Sequence, residues 1–353
     1  MTQLAPLAWP AAWHYVAGAP SQTAKFKQHW QDFQVHEQLG FTPSGDGEHV
    51  YLDITKTDTN TDFLARQLAQ HANVSYRQVT YSGLKDRHGI TRQWFAVHLP
   101  GKVSLEPDWQ QLASDKVCIN QVIRHQKKLH TGTHKSNQFV VRLRDIKSTA
   151  DLEQRLQTIG KVGVPNYFGE QRFGHQGNNL NLAQRLLSGE RFKDRFQQGI
   201  AMSAARSYLF NQLLSQRIQQ NNWLTAKPGD FYIPSDAYNP FKAPVDEAIQ
   251  ERIDNAEVAP TGWLAGNTGR GESSFPSALE ADCLNEYRQW IEGLAELRLQ
   301  ADRRALRLLP IDWQWQWIDH HVLELRFGML RGTYATSVLR ELVHTCNPHQ
   351  KHE

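Results

Sequence analysis

Residues 83–99 have the sequence Gly-Leu-Lys-Asp-Arg-His-Gly-Ile-Thr-Arg-Gln-Trp-Phe-Ala-Val-His-Leu. A charged stretch between two glycines is typical of a tight loop, and the apolar run from Gln93 to Leu99 predicts a β-strand at whose edge the loop lies. Asp86 is the one carboxylate of this loop, and its neighbours are basic: Lys85, Arg87, His88 and Arg92. Asp86 is therefore either an ionised nucleophile or base, or part of a solvated charged turn.

The flanking sequence predicts a sheet built from both ends of the chain. Strand patterns occur at His49–Ile54, at Gln138–Arg144 and at His321–Phe327, and Asn60 supplies an N-cap for a helix that follows it. Residues 151–220 have a helical pattern, 224–285 are rich in proline and loops, 284–308 are helical again, and a final helix is predicted near 337–344. The helical middle is thus expected to be an insertion in the sheet domain.

Charge is distributed unevenly along the chain. The net charge is only +3, from 39 Lys and Arg against 36 Asp and Glu. Residues 77–144 hold 12 basic and 4 acidic residues, a local +8, so the remainder holds 27 against 32, or −5. This segregation predicts an anionic partner bound on one face.

The most basic segment is residues 124–144, which contain six Lys and Arg and no acid. Lys127, Lys128 and Lys135 suit phosphate contacts in what we interpret as a basic hairpin. Asn137 could read a base edge, and Phe139 either stacks on a base or is the first core residue of its strand. Of His125, His130 and His134, the last two have the i, i+4 spacing of helical metal ligands. Gly132 and the neighbouring threonines argue against a helix, and no carboxylate lies nearby, so a metal site is not favoured. The segment favours RNA or DNA binding.

Other features exclude several classes of protein. The three cysteines lie far apart, which argues against a disulfide framework or a zinc site and favours a reducing cytosol. Neither a P-loop nor a G-x-G-x-x-G motif is present, and no apolar stretch reaches the length of a membrane span. The apolar run 4–13 lacks the basic start of a signal peptide. We expect a cytoplasmic protein that needs no cofactor and no metal.

Two further segments could contact a phosphate backbone or could serve packing alone. Residues 163–174, Gly-Val-Pro-Asn-Tyr-Phe-Gly-Glu-Gln-Arg-Phe-Gly, contain Arg172 among aromatic residues and glycines. Arg303 and Arg307 are four residues apart and would share a face if the segment is helical.

Taken together, these motifs resemble those of the TruD family of tRNA pseudouridine synthases. Residues 83–93 are similar to its G-x-K-D-[RK]-x-x-x-T-x-Q signature, and 163–174 to its G-V-P-N-Y-[FY]-G-x-Q-R-F-G block. Lys27 with residues 31–37 resembles the N-terminal K-x-x-x-E-D-F-x-V-x-E segment. Further similar segments are 128–139, 203–207, 303–305 and 332–337.

The resemblance implies an α+β pseudouridine synthase fold with a mixed, mainly antiparallel sheet and an inserted, mostly helical family-specific domain. We predict the catalytic domain at residues 1–160 and 309–353 and the insertion at 161–308. The implied activity is isomerisation of uridine to pseudouridine at position 13 in the D-arm of tRNA, without cofactor. The implied partner is tRNA alone, with no obligate protein partner, and a monomer is expected.

The resemblance also assigns roles to individual residues. Asp86 would be the catalytic aspartate, and Lys27 would pair with its carboxylate. Phe33, Asn137 and Tyr334 match substrate-binding positions, with Tyr334 where Phe is common, and Phe139 would stack on the uridine or wall its site. The predicted RNA-binding residues are Lys85, Arg87, His88, Arg92, Lys127, Lys128, Lys135, Arg172, Arg303 and Arg307. Two alternatives remain open: a non-catalytic RNA-binding or RNA-folding protein, and a metal-dependent nuclease.

Overall fold

The computed structural model describes residues 4, 7–101, 106–235, 237, 239–297 and 299–346. Its strands are β1 Thr23–Phe26, β2 Phe33–Leu39, β3 His49–Thr57, β4 Val79–Tyr81, β5 Ile90–His98, β6 Val117–His125, β7 His134–Arg144, β8 Val164–Pro165, β9 Phe231–Pro234, β10 Phe241–Lys242, β11 Val258–Leu264, β12 Asp302–Ala305, β13 Arg307–Leu308, β14 Ile311–Asp319, β15 Val322–Leu330 and β16 His344–Cys346. Its α-helices are α1 Thr61–His71, α2 Ala150–Val162, α3 Asn178–Leu187, α4 Arg195–Gln219, α5 Glu247–Asp254, α6 Ala278–Cys283, α7 Arg288–Glu296 and α8 Ala335–Leu342.

The chain divides into two compact units. The sheet unit comprises the described residues of Ser21–Ala150, Pro310–Gly332 and Val343–Glu353. The helical unit comprises those of Met1–Pro20, Asp151–Leu309 and Thr333–Leu342. These boundaries differ from the predicted ones, because residues before 21, residues 151–160 and α8 lie in the helical unit. The Arg155 guanidinium of α2 links these segments, since it donates to the carbonyls of Ala17 and Glu341.

The sheet unit is built on one mixed, mainly antiparallel sheet. Among the described residues it has ten strands, with the central order β14-β15-β7-β2-β5-β3-β6. β1 joins β7 and β16, and β4 joins β5. Among the strand pairs that the described part of this sheet contains, β2 with β5 and β1 with β16 are parallel and the others antiparallel. The predicted α+β class and the mixed sheet are therefore confirmed.

Helix α1 packs on one face of this sheet. The Asn60 side chain accepts from the Asp62 amide at 2.8 Å, which is the predicted N-cap. Leu64 and Leu68 of α1 are buried with Leu52, Ile54 and Phe95 of the sheet. Burial of this apolar face stabilises the packing of α1 on the sheet.

The helical unit is organised around α4. Its buried side chains contact α3, α6 and α7, and β11 pairs with β9 and β12 in a four-stranded sheet beside it. The predicted helical pattern over residues 284–308 is confirmed for α7 only. Residues 302–308 instead form strands β12 and β13, because they pair with β11 and β8.

Candidate active site

Asp86 lies in the loop between β4 and β5, as the glycine spacing predicted. The loop ends at Gly89, whose φ is +154°. A Cβ atom at Gly89 would lie 2.6 Å from the carbonyl oxygen of Phe33. Only glycine allows this approach, so the end of the loop is held against the start of β2.

The structure brings Lys27 and Asp86 together, although the two residues are far apart in the sequence. The Lys27 ammonium lies 3.5 Å from the Asp86 carboxylate, and the two side chains are 13% and 55% exposed. Lys27 has a φ of +61°, an uncommon conformation for a lysine. Such strain persists where surrounding contacts impose it, as they do at many functional sites.

Aromatic rings surround the Lys27 ammonium. It lies 4.0 Å from the centroid of Phe33 and 5.2 Å from that of Phe26. Burial lowers the pKa of Lys27, and the nearby Asp86 carboxylate opposes that effect. The result is an exposed carboxylate beside a largely buried cation and a ring.

The other predicted substrate residues of the sheet unit lie on the same sheet face. Phe139 is opposite Val35 on β2, and its ring is 6.1 Å from Phe33 and 5.4 Å from Phe327. Phe139 is 9% exposed, so it is mainly a core residue that walls the face. Asn137 is opposite Glu37, and its buried Oδ1 accepts no hydrogen bond. Buried polar atoms normally have partners, so Asn137 has free hydrogen-bonding capacity.

Lys85 is a structural anchor of the loop rather than an RNA contact, which corrects its prediction. Its ammonium donates to Glu37 Oε2 at 2.5 Å, and the two side chains are 7% and 0% exposed. Burial raises the pKa of Glu37, against the opposing effects of Lys85 and of the Trp94 amide. A buried cation paired in this way is not available to a phosphate.

Lys56, which the sequence patterns did not single out, lies beneath the Asp86 loop. Its side chain is on β3, which pairs with β5, and the residue is 1% exposed. Its ammonium donates to the carbonyls of Thr59 at 2.7 Å and of Asp86 at 3.3 Å. Burial lowers the pKa of Lys56 to about 8. The only signal in the sequence was a lysine that interrupts the strand's apolar face after Val50, Leu52 and Ile54.

Polar side chains from α1 and β5 complete the support of the loop. Thr61 Oγ1 accepts from the Lys85 amide at 3.2 Å and donates to Gln93 Oε1 at 2.9 Å. Gln93 Nε2 in turn donates to the Gly83 carbonyl at 3.2 Å. These bonds hold the part of the loop that precedes Asp86.

The remaining basic residues of the loop segment differ in position. Arg87 is 60% exposed and donates to Asp58 at 3.2 Å, and His88 is 49% exposed. Arg92 donates to Asp53 at 2.5 Å and is 46% exposed. Strand alternation directs Arg92 to the face opposite Thr91 and Gln93, so it is not brought to Asp86.

The basic segment after β6 is not a hairpin, which corrects that interpretation. β6 pairs with β3, whereas β7 lies between β15 and β2, so residues 126–133 connect strands that are not neighbours. Lys127, Lys128 and Lys135 are exposed, and the segment is held by buried Leu129. The phosphate-binding prediction for these lysines stays a prediction.

The three histidines of this segment do not converge. His134 Nδ1 is 2.6 Å from Ser82 Oγ, and burial lowers its pKa to about 4. His125 Nδ1 accepts from the Ser44 amide at 3.1 Å. Within the described ranges, no three His, Cys, Asp or Glu side chains are grouped to hold a metal ion.

In the helical unit, Arg172 and Tyr334 are in contact. Both Nε and Nη2 of Arg172 donate to the Tyr334 hydroxyl, and Nη1 donates to Ser203 Oγ at 2.9 Å. The Arg172 guanidinium also lies over the ring of Phe168 at 5.6 Å. The Tyr334 hydroxyl thus orients this arginine, a contact that a phenylalanine at this position would lack.

Arg303 and Arg307 are buried, and their prediction as RNA contacts is wrong for this reason. Arg303 pairs with Glu280 at 3.0 Å, each side chain being 1% exposed. Arg307 is 5% exposed, and its Nη2 donates to the Val258 carbonyl at 2.5 Å. Because Arg303 is on β12 and Arg307 is on β13, their spacing does not create the exposed helical face that was expected.

No helix among the described residues is long and apolar enough to span a membrane.

Comparison with known proteins identifies the family. The family model described as "tRNA pseudouridine synthase D (TruD)" matches residues 12–201 and 194–342. A tRNA pseudouridine synthase D of Nitrosococcus oceani is 43% identical over 341 residues, which cover 94% of this chain and 93% of that protein. One of Pseudoalteromonas translucida is 39% identical over 330 residues, with 94% and 93% coverage.

A solved structure shares the fold. The crystal structure of a protein described as a tRNA pseudouridine synthase D from Methanosarcina mazei superimposes with a TM-score of 0.70 at 19% identity, covering 93% of this chain and 95% of that one. The expected pseudouridine synthase fold is confirmed. This chain belongs to the tRNA pseudouridine synthase D (TruD) family of pseudouridine-forming isomerases.

Proposed function

We propose that this chain isomerises uridine 13 in the D-arm of tRNA to pseudouridine, with Asp86 as the nucleophile and without a cofactor. The observation that carries the proposal is the exposed Asp86 carboxylate 3.5 Å from the Lys27 ammonium. The position in tRNA rests on the resemblance of the motifs to the family. Lys27 supplies a counter-charge that orients the carboxylate toward the substrate.

The reaction balances without a co-reactant. The bond between N1 and C1′ of uridine breaks, the uracil rotates, and a bond forms between C5 and C1′. C5 loses its proton and N1 gains one, so no oxidation or reduction occurs. Asp86 either attacks the uridine covalently or assists glycosidic cleavage, and both routes need a positioned carboxylate.

The uridine must leave its stack to reach Asp86. Unstacking costs a few kcal/mol, and contact with an aromatic ring contributes about 1–3 kcal/mol, which is enough to offset it. Phe33 and Tyr334 are the proposed aromatic contacts, and Phe139 walls the site. Asn137 is the proposed hydrogen-bonding partner of the base, which would give its buried Oδ1 a donor.

Six exposed basic residues and the partly buried Arg172 are the proposed contacts to the tRNA backbone. They are Arg87, His88, Arg92, Lys127, Lys128, Lys135 and Arg172. Cationic side chains bind phosphate in a salt-dependent and sequence-independent manner. We propose that the protein acts on tRNA in the cytoplasm as a monomer, without an obligate protein partner.

The test is tritium release from tRNA labelled at uracil C5, with wild type and Asp86→Asn compared. We expect Asp86→Asn to lose at least about 10³-fold in rate, because the nucleophile is removed while its shape is kept. Its affinity for tRNA should change little. Equal release by the two proteins would reject Asp86 as the nucleophile.

The same assay separates the alternatives. A non-catalytic RNA-binding protein would release no tritium in either form. A metal-dependent nuclease would cleave the tRNA and lose that activity in chelator, whereas we expect tritium release to persist in EDTA.

A further inference from the structure

Lys56 is a fully buried lysine without a role in the chemistry above. It is 1% exposed and lies on β3 beneath the Asp86 loop. Its ammonium bonds the backbone of Asp86 itself at 3.3 Å, and that of Thr59 at 2.7 Å. The Asp86 side chain is exposed to substrate, whereas the backbone carbonyl of the same residue accepts a hydrogen bond from an ammonium that substrate cannot reach.

Burial of this ammonium is costly. Removing a charge from water without full compensation costs several kcal/mol, and an apolar side chain of similar volume often packs as well or better. The alternating pattern of β3 favours an apolar residue here, since Val50, Leu52 and Ile54 precede it on the same face. The hydrogen bonds that Lys56 donates are therefore the property that an apolar replacement would lack.

The neighbouring bonds hold the loop but do not reach Asp86. Thr61 accepts from the Lys85 amide, Gln93 donates to the Gly83 carbonyl, and Lys85 pairs with Glu37. Each restrains a residue before Asp86. Gly89 restrains the loop after it through the close approach to Phe33. Lys56 restrains the residue that carries the reacting group.

We propose that Lys56 is a positioning residue, whose ammonium fixes the Asp86 backbone so that its carboxylate meets the uridine in a reactive orientation. The inference rests on the proposed function, in which Asp86 is the nucleophile. Lys56 does not touch substrate in this mechanism. Its removal should therefore slow the reaction and leave tRNA binding unchanged.

The first experiment compares steady-state pseudouridine formation by wild type, Lys56→Met and Lys56→Arg. We expect Lys56→Met to lower kcat about 100-fold with KM for tRNA within about twofold, because a misplacement of about 1 Å can cost this much. Lys56→Arg keeps the charge and should recover part of kcat. Two controls, Lys116→Met at an exposed lysine and Leu68→Ala in the core of the sheet unit, should retain kcat when folded.

The second experiment measures the stability of the loop and does not depend on an activity assay. Hydrogen exchange is measured at the Lys85 amide, which donates to Thr61, and at the Asp58 amide, which donates to the Gly89 carbonyl at 3.3 Å. We expect protection of both to fall at least tenfold in Lys56→Met while amides of β3 and α1 keep theirs. If Lys56→Met does not fold, Lys56→Gln takes its place with the same expectations.

The outcomes distinguish the two proposals. Absence of pseudouridine formation by wild type rejects the proposed function, while the exchange data still decide whether Lys56 holds the loop. Wild-type kcat in Lys56→Met, unchanged loop protection, or a kcat loss matched by Leu68→Ala would each overturn the positioning role.

Discussion

At the scale of single residues, the site combines one exposed acid with two lysines of different exposure. Lys27 faces the Asp86 carboxylate beside Phe33, whereas the Lys56 ammonium donates to the backbone carbonyls of Thr59 and Asp86. The same residue type thus lies in two environments, which differ in their depth in the fold. Lys85 adds a third, since its partner is a buried glutamate.

Lys56 makes a testable contribution to the pH dependence of stability. Its folded pKa, about 8, lies below the unfolded value of 10.5, so the unfolded chain binds more protons between these values. Stability attributable to this residue therefore rises with pH across that window. The free energy of unfolding of wild type minus that of Lys56→Met should increase by up to about 3 kcal/mol between pH 7.5 and 10.5.

Urea unfolding at both pH values measures this difference. The corresponding difference for Lys116→Met, at a lysine whose side chain is 46% exposed, should stay nearly constant. A difference for Lys56→Met that is flat or falls with pH would show that the ammonium is not buried as described.

At the scale of elements, we expect the conformation of the Asp86 loop to require glycine at position 89 but not at position 83. Gly89→Ala introduces a Cβ 2.6 Å from a backbone oxygen at a φ of +154°. We expect it to lower kcat at least tenfold and to destabilise the protein by about 1–3 kcal/mol, because the loop must move from β2.

Gly83→Ala is the matched control in the same loop. Its Cβ would have its nearest neighbour at 3.8 Å, within ordinary contact distance. Activity and urea midpoint should stay close to wild type. If the two variants behave alike, the approach of Gly89 to Phe33 does not position the loop.

At the scale of the whole molecule, the weak net charge of +3 conceals an uneven distribution. Residues 77–144 carry a net +8 and belong to the sheet unit, together with Asp86. Many of their cations are already paired with buried acids, as Arg92 is with Asp53. The exposed lysines of residues 126–135 are therefore the better candidates for phosphate contacts.

The salt dependence of tRNA affinity tests whether these lysines contact phosphates. Lys127→Ala combined with Lys128→Ala should reduce the slope of log affinity against log salt by about 1–2. With fewer phosphates neutralised by the protein, fewer counterions are released when tRNA binds. The control Lys242→Ala with Arg252→Ala removes two exposed cations of the helical unit. An unchanged slope in the first variant would remove Lys127 and Lys128 from the RNA interface.

Local sequence predicted the elements whose pattern is self-contained. The strands at His49–Ile54 and Gln138–Arg144, the N-cap at Asn60 and the loop around Asp86 all follow from periodicity and from turn residues. The motifs also indicated the family, because their order along the chain is itself specific. Such features can be predicted from the residues next to them in the sequence.

Burial and partners were decided by the tertiary structure alone. Arg303 and Lys85 carry the same charge as exposed RNA-binding candidates, but their carboxylate partners are distant in sequence, at Glu280 and Glu37. Likewise, residues 126–133 join strands that do not pair because β7 lies between β2 and β15. Sequence thus determined the elements with a self-contained pattern, the loop that carries Asp86 and the charge of this protein. Only long-range packing decided which cations face solvent and which, like Lys56, support Asp86 from within, because the free energy of a charge depends on its surroundings in three dimensions.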